Sequence, residues 1–84
     1  MNSKQQKTLK EIYKVPTQSN IKWKDIESLF KALNCDISEG SGSRIRVQLN
    51  NVRAIFHRPH PKPVTNKGAV ESVRRFLFNA GVQP

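Results

Sequence analysis

Residues 44–57 constrain the fold most strongly, because two alternating runs flank the pair Asn50-Asn51. Asparagine tolerates the positive φ angles of a two-residue loop, so the pattern predicts a β-hairpin. Its apolar residues fall on one side, in the pairs Leu49 with Val52, Val47 with Ala54 and Ile45 with Phe56. The other side holds the pairs Arg44 with His57, Arg46 with Ile55 and Gln48 with Arg53. We expect this second side to face a polyanion if helices cover the first.

The net charge of +9 lies mainly in the second half of the chain. Residues 40–84 contain eight basic residues and one acidic residue, whereas residues 1–39 contain seven and five. This distribution favours a nucleic-acid or acidic-protein partner over a charge that serves only solubility.

Size, cysteine content and hydropathy exclude several classes of protein. A chain of 84 residues forms one small domain, and its single cysteine, Cys35, permits no internal disulfide and no cysteine-bound metal. Residues 1–20 lack the apolar core of a signal peptide, and no run reaches transmembrane length. Two histidines without a neighbouring carboxylate do not form a zinc site. We therefore expect a soluble, cytoplasmic protein with no metal and no small-molecule cofactor.

The first twenty residues differ in pattern from the rest. Ser3-Lys4-Gln5-Gln6 has the form of a capping box, and apolar residues at helical spacing follow it. They predict a short helix over about residues 4–13, which either docks on the domain or frays. Pro16 and the turn-forming residues after it predict a linker. We therefore expect an N-terminal extension, residues 1–20, and one domain, residues 21–84.

The pattern of that domain predicts a helix, three strands and a helix. Apolar residues at intervals of three and four predict a helix over about residues 23–33, with Trp23 in the core rather than stacked on a base. Residues 35–39 alternate and add a third strand, while Asn66 and Gly81 suit the two ends of a last helix. The predicted fold class is α+β, with an α-β-β-β-α order, a three-stranded antiparallel sheet and both helices on one face. This is the arrangement of double-stranded-RNA-binding domains.

Residues 57–63 carry two histidines and two cations among three alternating prolines, which make the segment stiff and extended. Imidazole exchanges protons near neutral pH, and cations beside it would hold a phosphate. His57 and His60 are therefore candidate acid–base groups. The alternative is that His57 packs on the strand and His60 is an ordinary surface residue.

Basic and polar residues in the second half of the chain provide candidate phosphate contacts. The start of the last helix suits phosphate because its free N–H groups point outward. The Gly-Ser run before Arg44 lacks the lysine and the helix of a P-loop, so it indicates a turn rather than a nucleotide site. The residues predicted to contact RNA are Ser43, Arg46, Arg53, Arg58, Lys62, Lys67, Arg74 and Arg75.

The segment from Trp23 to Val82 resembles the HicA toxins of bacterial type II toxin–antitoxin systems. The matching features are Leu29-Phe30-Lys31, the Gly42-Ser43 turn, the basic hairpin, His60-Pro61 and the helix from Gly68-Ala69 to Ala80-Gly81-Val82. The resemblance implies a small endoribonuclease that cleaves mRNA without the ribosome, needs no cofactor and is silenced by a HicB antitoxin.

The resemblance also implies a catalytic histidine just after the glycine-serine pair. Arg44, or Ser43 if the turn is counted one residue differently, stands there in this chain. Arginine cannot act as a base near neutral pH. His57 lies across the predicted hairpin from Arg44, so its imidazole can occupy nearly the same volume from the neighbouring strand. We expect His57, His60 and Arg44 to be the catalytic residues. Two alternatives remain open: an RNA-binding module without chemistry, and a basic module that docks an acidic protein.

Overall fold

A computed structural model describes residues 1–84 as three helices and one antiparallel sheet. The elements are α1 (Ser3–Tyr13), α2 (Trp23–Ala32), β1 (Asp36–Glu39), β2 (Arg44–Leu49), β3 (Val52–His57) and α3 (Lys67–Asn79). The strand order is β1-β2-β3. The predicted α+β class and the α-β-β-β-α order, preceded by an N-terminal helix, are confirmed.

The hairpin has the register predicted from its sequence. All six pairs form, from Leu49 opposite Val52 to Arg44 opposite His57. Asn50 and Asn51 adopt φ angles of 50° and 67°, which glycine and asparagine tolerate better than other residues. The Asn50 side-chain amide also donates a 2.8 Å hydrogen bond to a carbonyl at the end of α3. The turn is therefore attached to the helical layer.

An aromatic cluster joins the helices to the inner sheet face. The Phe30 ring of α2 stacks on the Phe56 ring of β3 with centroids 5.7 Å apart, and Phe76 of α3 meets both rings edge-on at 5.8 Å. Trp23 lies 6.0 Å from Phe56 and is buried, which confirms the prediction that it belongs to the core. Because successive side chains of a strand point to opposite faces of the sheet, the alternate strand positions point away from the helices.

The first helix begins one residue earlier than its sequence suggests. Asn2, not Ser3, is the N-cap: its side chain accepts a 2.8 Å hydrogen bond from the Gln5 amide, and the Gln5 side chain accepts one of 2.9 Å from the Asn2 amide. The predicted box over Ser3–Gln6 is therefore wrong by one position. Asparagine caps as well as serine does, so two adjacent positions competed for the same role.

The ends predicted for the last helix are confirmed, and α2 ends in a similar way. Asn34 follows α2 with a φ of 61°, and Gly81 follows α3 with a φ of 84°. The Asn66 side chain accepts a 2.8 Å hydrogen bond from the Ala69 amide at the start of α3. These residues satisfy free backbone groups or reverse the chain where each helix ends.

The N-terminal helix docks rather than frays. Leu9 and Ile12 are buried in the same core cluster as the residues of α2, the sheet and α3. The Gln5 side chain adds a 3.0 Å hydrogen bond to the Ser28 hydroxyl of α2. The segment that the sequence sets apart, residues 1–20, therefore shares its core with residues 21–84.

The proline-rich segment after β3 is attached to the start of α2. The Trp23 amide donates a 3.0 Å hydrogen bond to the Pro63 carbonyl, and the Thr65 amide donates one of 2.8 Å to the Ile21 carbonyl. This short bridge closes the loop between the sheet and α3. None of the helices has the length and apolar content needed to cross a membrane.

Candidate nucleic-acid interface

The strand register places three rows of side chains on the face of the sheet opposite the helices, here called the outer sheet face. The rows are Arg44–His57, then Ser38–Arg46–Ile55, then Asp36–Gln48–Arg53. Successive rows are two residues apart, which is about 6.6 Å along a strand. Apart from half-buried Gln48, all of these residues are exposed. The predicted grouping of three arginines and a histidine on one side of the hairpin is confirmed.

The three arginines of the outer sheet face have no acidic partner. The ion pairs of the protein are Lys4 with Asp25 and Arg58 with Glu27 and Glu39, so none involves Arg44, Arg46 or Arg53. Arg46 donates one hydrogen bond, of 3.2 Å, to a backbone carbonyl. Their charge is therefore available to an anion from solvent.

His57 lies directly opposite Arg44 at the edge of this face. Directly opposed residues of an antiparallel pair have Cβ atoms about 4.5–5.5 Å apart, so the imidazole and the guanidinium can reach one phosphate group. Both side chains are exposed. His60, three residues further on, is exposed in the loop that follows β3. The first row thus combines a proton-exchanging group with a permanent cation.

Arg58 differs from the other arginines of this region because its guanidinium is bonded to two carboxylates. Its Nε and Nη2 atoms donate to the Glu27 carboxylate at 2.8 and 3.1 Å. Its Nη1 and Nη2 atoms donate to the Glu39 carboxylate at 2.6 and 2.9 Å. Two carboxylates therefore neutralise its guanidinium, and the structure does not add Arg58 to the free cations of the outer sheet face.

The electrostatics of this network follow from its hydrogen bonds. The Arg58 guanidinium lowers the pKa of Glu27, while partial burial opposes it and the Trp23 indole N–H adds to the lowering. The same guanidinium lowers the pKa of Glu39, and the two carboxylates in turn raise the pKa of Arg58. All three groups are therefore charged at neutral pH.

The Arg58 network braces the strand ends that carry the first row. The Arg58 amide donates a 2.9 Å hydrogen bond to the Ser43 carbonyl, and its side chain joins α2 to the end of β1. Arg44 and His57 are the immediate neighbours of these two bonded residues. No local sequence pattern indicates this network, because its carboxylates lie 31 and 19 residues away from Arg58.

The Gly-Ser run forms the tight turn between β1 and β2. The Gly40 amide donates to the Arg44 carbonyl at 2.9 Å, and the Arg44 amide donates to the Ser41 carbonyl at 3.2 Å. Gly42 adopts a φ of 62°, which favours glycine. The Gly40 and Arg44 amides are therefore already used in backbone hydrogen bonds, although the Ser43 side chain is exposed.

The remaining basic candidates lie away from the outer sheet face. Arg74 of α3 donates to the carbonyls of Ile12 and Lys14 at 2.8 and 3.1 Å, so it anchors the end of α1. Arg75 lines a groove on the helical layer with the exposed Phe78. Both lie on the helical side of the molecule and not beside Arg44. Lys62 and Lys67 are exposed, one in the loop after β3 and one at the first position of α3.

Cys35 lies half-buried before β1, and burial raises the pKa of its thiol to about 11. The thiol is therefore protonated at neutral pH. No three side chains of histidine, cysteine, aspartate or glutamate come close enough together to hold a metal ion.

Comparison with family models matches residues 23–82 to the HicA toxin of bacterial toxin–antitoxin systems. The chain belongs to the HicA toxin family. This membership confirms the resemblance and identifies a toxin with a cognate antitoxin. Comparisons with curated proteins and with solved structures gave no match. The matched range begins at the first residue of α2, so α1 lies outside it although α1 packs in the same core.

Proposed function

We propose that this HicA-family toxin is an endoribonuclease that cleaves mRNA in the cytoplasm. The observation that carries the proposal is the outer sheet face, where three arginines without acidic partners share one surface with His57. Family membership supports a toxic activity, and the charge favours a polyanionic substrate. We assign the activity to residues 21–84, with residues 1–20 supporting the core.

The proposed reaction is attack by a ribose 2′-hydroxyl on the adjacent phosphate. His57 removes the hydroxyl proton as general base while the new oxygen–phosphorus bond forms. The bond from phosphorus to the 5′-oxygen then breaks, and His60 supplies a proton to the departing oxygen. The products are a 2′,3′-cyclic phosphate and a free 5′-hydroxyl, and no cofactor or metal takes part in these steps.

Arg44 and Arg46 are proposed to stabilise the charge that develops on the phosphoryl oxygens. A guanidinium is well suited to this role because it stays protonated and can donate two parallel hydrogen bonds. A positioned acid–base group typically contributes about 10²–10⁴-fold to the rate, and charge stabilisation is often the larger contribution. Arg53, Ser43 and Lys62 extend the proposed RNA contacts on either side of this row.

The cognate antitoxin is proposed to be a HicB-like protein with an acidic surface that covers the outer sheet face. The net charge of +9 and the free arginines favour an acidic partner there. RNA and antitoxin would then compete for one surface. Adding antitoxin should release bound RNA in proportion to the antitoxin bound.

A second candidate function is RNA binding without cleavage. The observation that favours it is Arg44, which stands where the family resemblance implies a catalytic histidine and which cannot accept a proton. This alternative retains the salt-sensitive RNA binding of the outer sheet face and yields no cleavage product.

End-labelled RNA distinguishes the two functions. The purified protein is incubated with the RNA with and without EDTA, beside the double variant His57→Ala/His60→Ala and the control variant Arg75→Ala. We expect chelator-resistant cleavage with cyclic-phosphate ends that the double variant loses and the control keeps. A single 2′-deoxynucleotide at a cleavage site should block cleavage there.

Cleavage that persists unchanged in the double variant would show that the histidine roles are wrong. Salt-sensitive binding with no cleavage by any of these proteins would support the second candidate function.

A further inference from the structure

The middle row of the outer sheet face contains an exposed apolar side chain among cations. Ile55 is 61 % exposed and lies on β3 between Arg53 and His57. Its partner across the ladder is Arg46. A long apolar side chain is thus surrounded by the groups to which we assign phosphate binding.

We propose that Ile55 is a platform for one unpaired base of a single-stranded RNA, which deepens and rests on the proposed function. An apolar side chain offers the face of a base a contact that water does not, and an arginine beside it can stack on the same base. Bases within a duplex already stack on one another and hide their faces. Only an unpaired base can therefore use this platform.

The distribution of charge also favours a single strand. The free arginines of the sheet lie on one face, whereas Arg74 and Arg75 lie on the helical layer, and Arg74 is occupied by backbone carbonyls. A duplex would need phosphate contacts spread across its grooves. The narrow basic strip along β2 and β3 suits one extended chain.

Two polar side chains on β1, across β2 from the platform, suit the edge of a base rather than a phosphate. Ser38 and Asp36 of β1 share the second and third rows with Arg46 and Gln48. The exposed carboxylate of Asp36 would repel a phosphate, but it can accept a hydrogen bond from the amino group of a base. We therefore orient the strand with its phosphates toward the Arg44–His57 row and one base over Ile55 toward β1.

The distance along the strand relates this base to the cleaved bond. Ile55 lies two residues from His57 on the same face, which is about 6.6 Å. A base on Ile55 is thus close to the phosphate proposed to bind at Arg44 and His57. The platform would fix which phosphate of the strand reaches the histidine.

Fluorescence anisotropy with a labelled 2′-O-methyl RNA oligonucleotide tests this inference without cleavage. The oligonucleotide is offered as a single strand and as a duplex to the wild type and to two variants, Ile55→Thr and Ile55→Tyr. Both replacements favour β-strands, so the fold is retained, and thermal unfolding verifies this. Phe78→Ala, which removes an exposed apolar side chain from α3, is the matched control.

We expect the threonine variant to bind the single strand about threefold to tenfold more weakly, because threonine loses part of the apolar contact with one base and this contact is weaker than stacking on an aromatic ring. The tyrosine variant should bind it more tightly, and Phe78→Ala should bind it as the wild type does. Duplex binding should be weaker than single-strand binding and should not change with residue 55.

Equal affinity of the wild type for duplex and single strand would overturn the inference. It would also be overturned if Ile55→Thr weakened duplex and single-strand binding equally, or if neither Ile55 variant changed single-strand affinity. A complete absence of RNA binding would also overturn it and would favour a protein partner for this face. These results do not depend on cleavage. A protein that binds through Ile55 but does not cut would refute the proposed reaction alone.

Discussion

Replacing Glu27 with glutamine tests the network that holds the strand ends beside the candidate site. The substitution preserves the size of the side chain and removes one charge. Glu27 accepts two hydrogen bonds from Arg58, at 2.8 and 3.1 Å, and one from the Trp23 indole. The variant leaves Arg58 with Glu39 as its only carboxylate partner. We expect a less stable protein with a looser connection between α2 and β3.

The expected loss of stability lies between the value for a hydrogen bond to a charged group and the value for an exposed ion pair. A hydrogen bond to a charged group contributes about 1.5–3 kcal/mol, and an exposed pair only about 0.2–1 kcal/mol. The Arg58 and Glu27 side chains are 34 % and 18 % exposed, so solvent screens the pair in part. We expect a loss of roughly 1–2 kcal/mol in the free energy of unfolding. In a domain of this size that corresponds to a fall of roughly 5–15 °C in the unfolding temperature.

The loss should depend on pH in a defined direction. The folded state lowers the pKa of Glu27, so the unfolded state binds its proton more readily as the medium becomes acidic. The stabilisation is present above the unfolded pKa of about 4.3 and is lost as the pH falls through the lower folded value. Below that value the wild-type side chain is neutral, like glutamine. The difference between wild type and variant should therefore disappear in acid.

Urea unfolding of both proteins at pH 7 and at several lower pH values measures this difference. Glu39→Gln is the control, because Glu39 is more exposed and should produce a smaller loss at pH 7. Equal stability of the wild type and Glu27→Gln at pH 7 would refute the reasoning. A difference that stays constant down to pH 2 would refute the assigned cause.

Three further predictions follow from packing, burial and charge. Ile12→Ala should destabilise the fold by about 2–4 kcal/mol, because this side chain of α1 is fully buried. If thermal unfolding shows no loss of stability, α1 does not contribute to the stability of the core. Cys35 should react with iodoacetamide far more slowly in the folded protein than in urea, since burial raises its pKa to about 11; equal rates would contradict this. Arg46→Gln should reduce the slope of log affinity against log salt concentration for single-stranded RNA by about 0.7, which is the value for one lost phosphate contact. An unchanged slope would show that RNA does not contact Arg46.

The parts of the fold that could be predicted are those that depend on neighbouring residues. The hairpin register follows from alternation and from Asn50-Asn51, and both are properties of one short segment. The grouping of arginines on the outer sheet face follows from the same register. The predicted start of α1 lies one residue too late, because Asn2 and Ser3 are both good N-caps.

The parts that could not be predicted depend on contacts between distant segments. Arg58 looks like another free cation in the sequence, but folding brings two carboxylates to it from α2 and β1. Arg74 likewise looks like a surface residue and instead bonds to carbonyls at the end of α1. No local pattern distinguishes these two arginines from Arg44 or Arg46. The sequence therefore predicts the basic face but not which cations remain free on it.

The most direct test of the central claim is a map of the RNA contacts on the protein. The ¹⁵N-labelled protein is titrated with single-stranded 2′-O-methyl RNA, and amide chemical shifts are recorded at each addition. The largest changes should occur at residues 44–48 and 53–57, while the amides around Arg75 on the helical layer remain unchanged. Changes concentrated in α1 or α3, with the strands unaffected, would contradict the claim that RNA binds the outer sheet face.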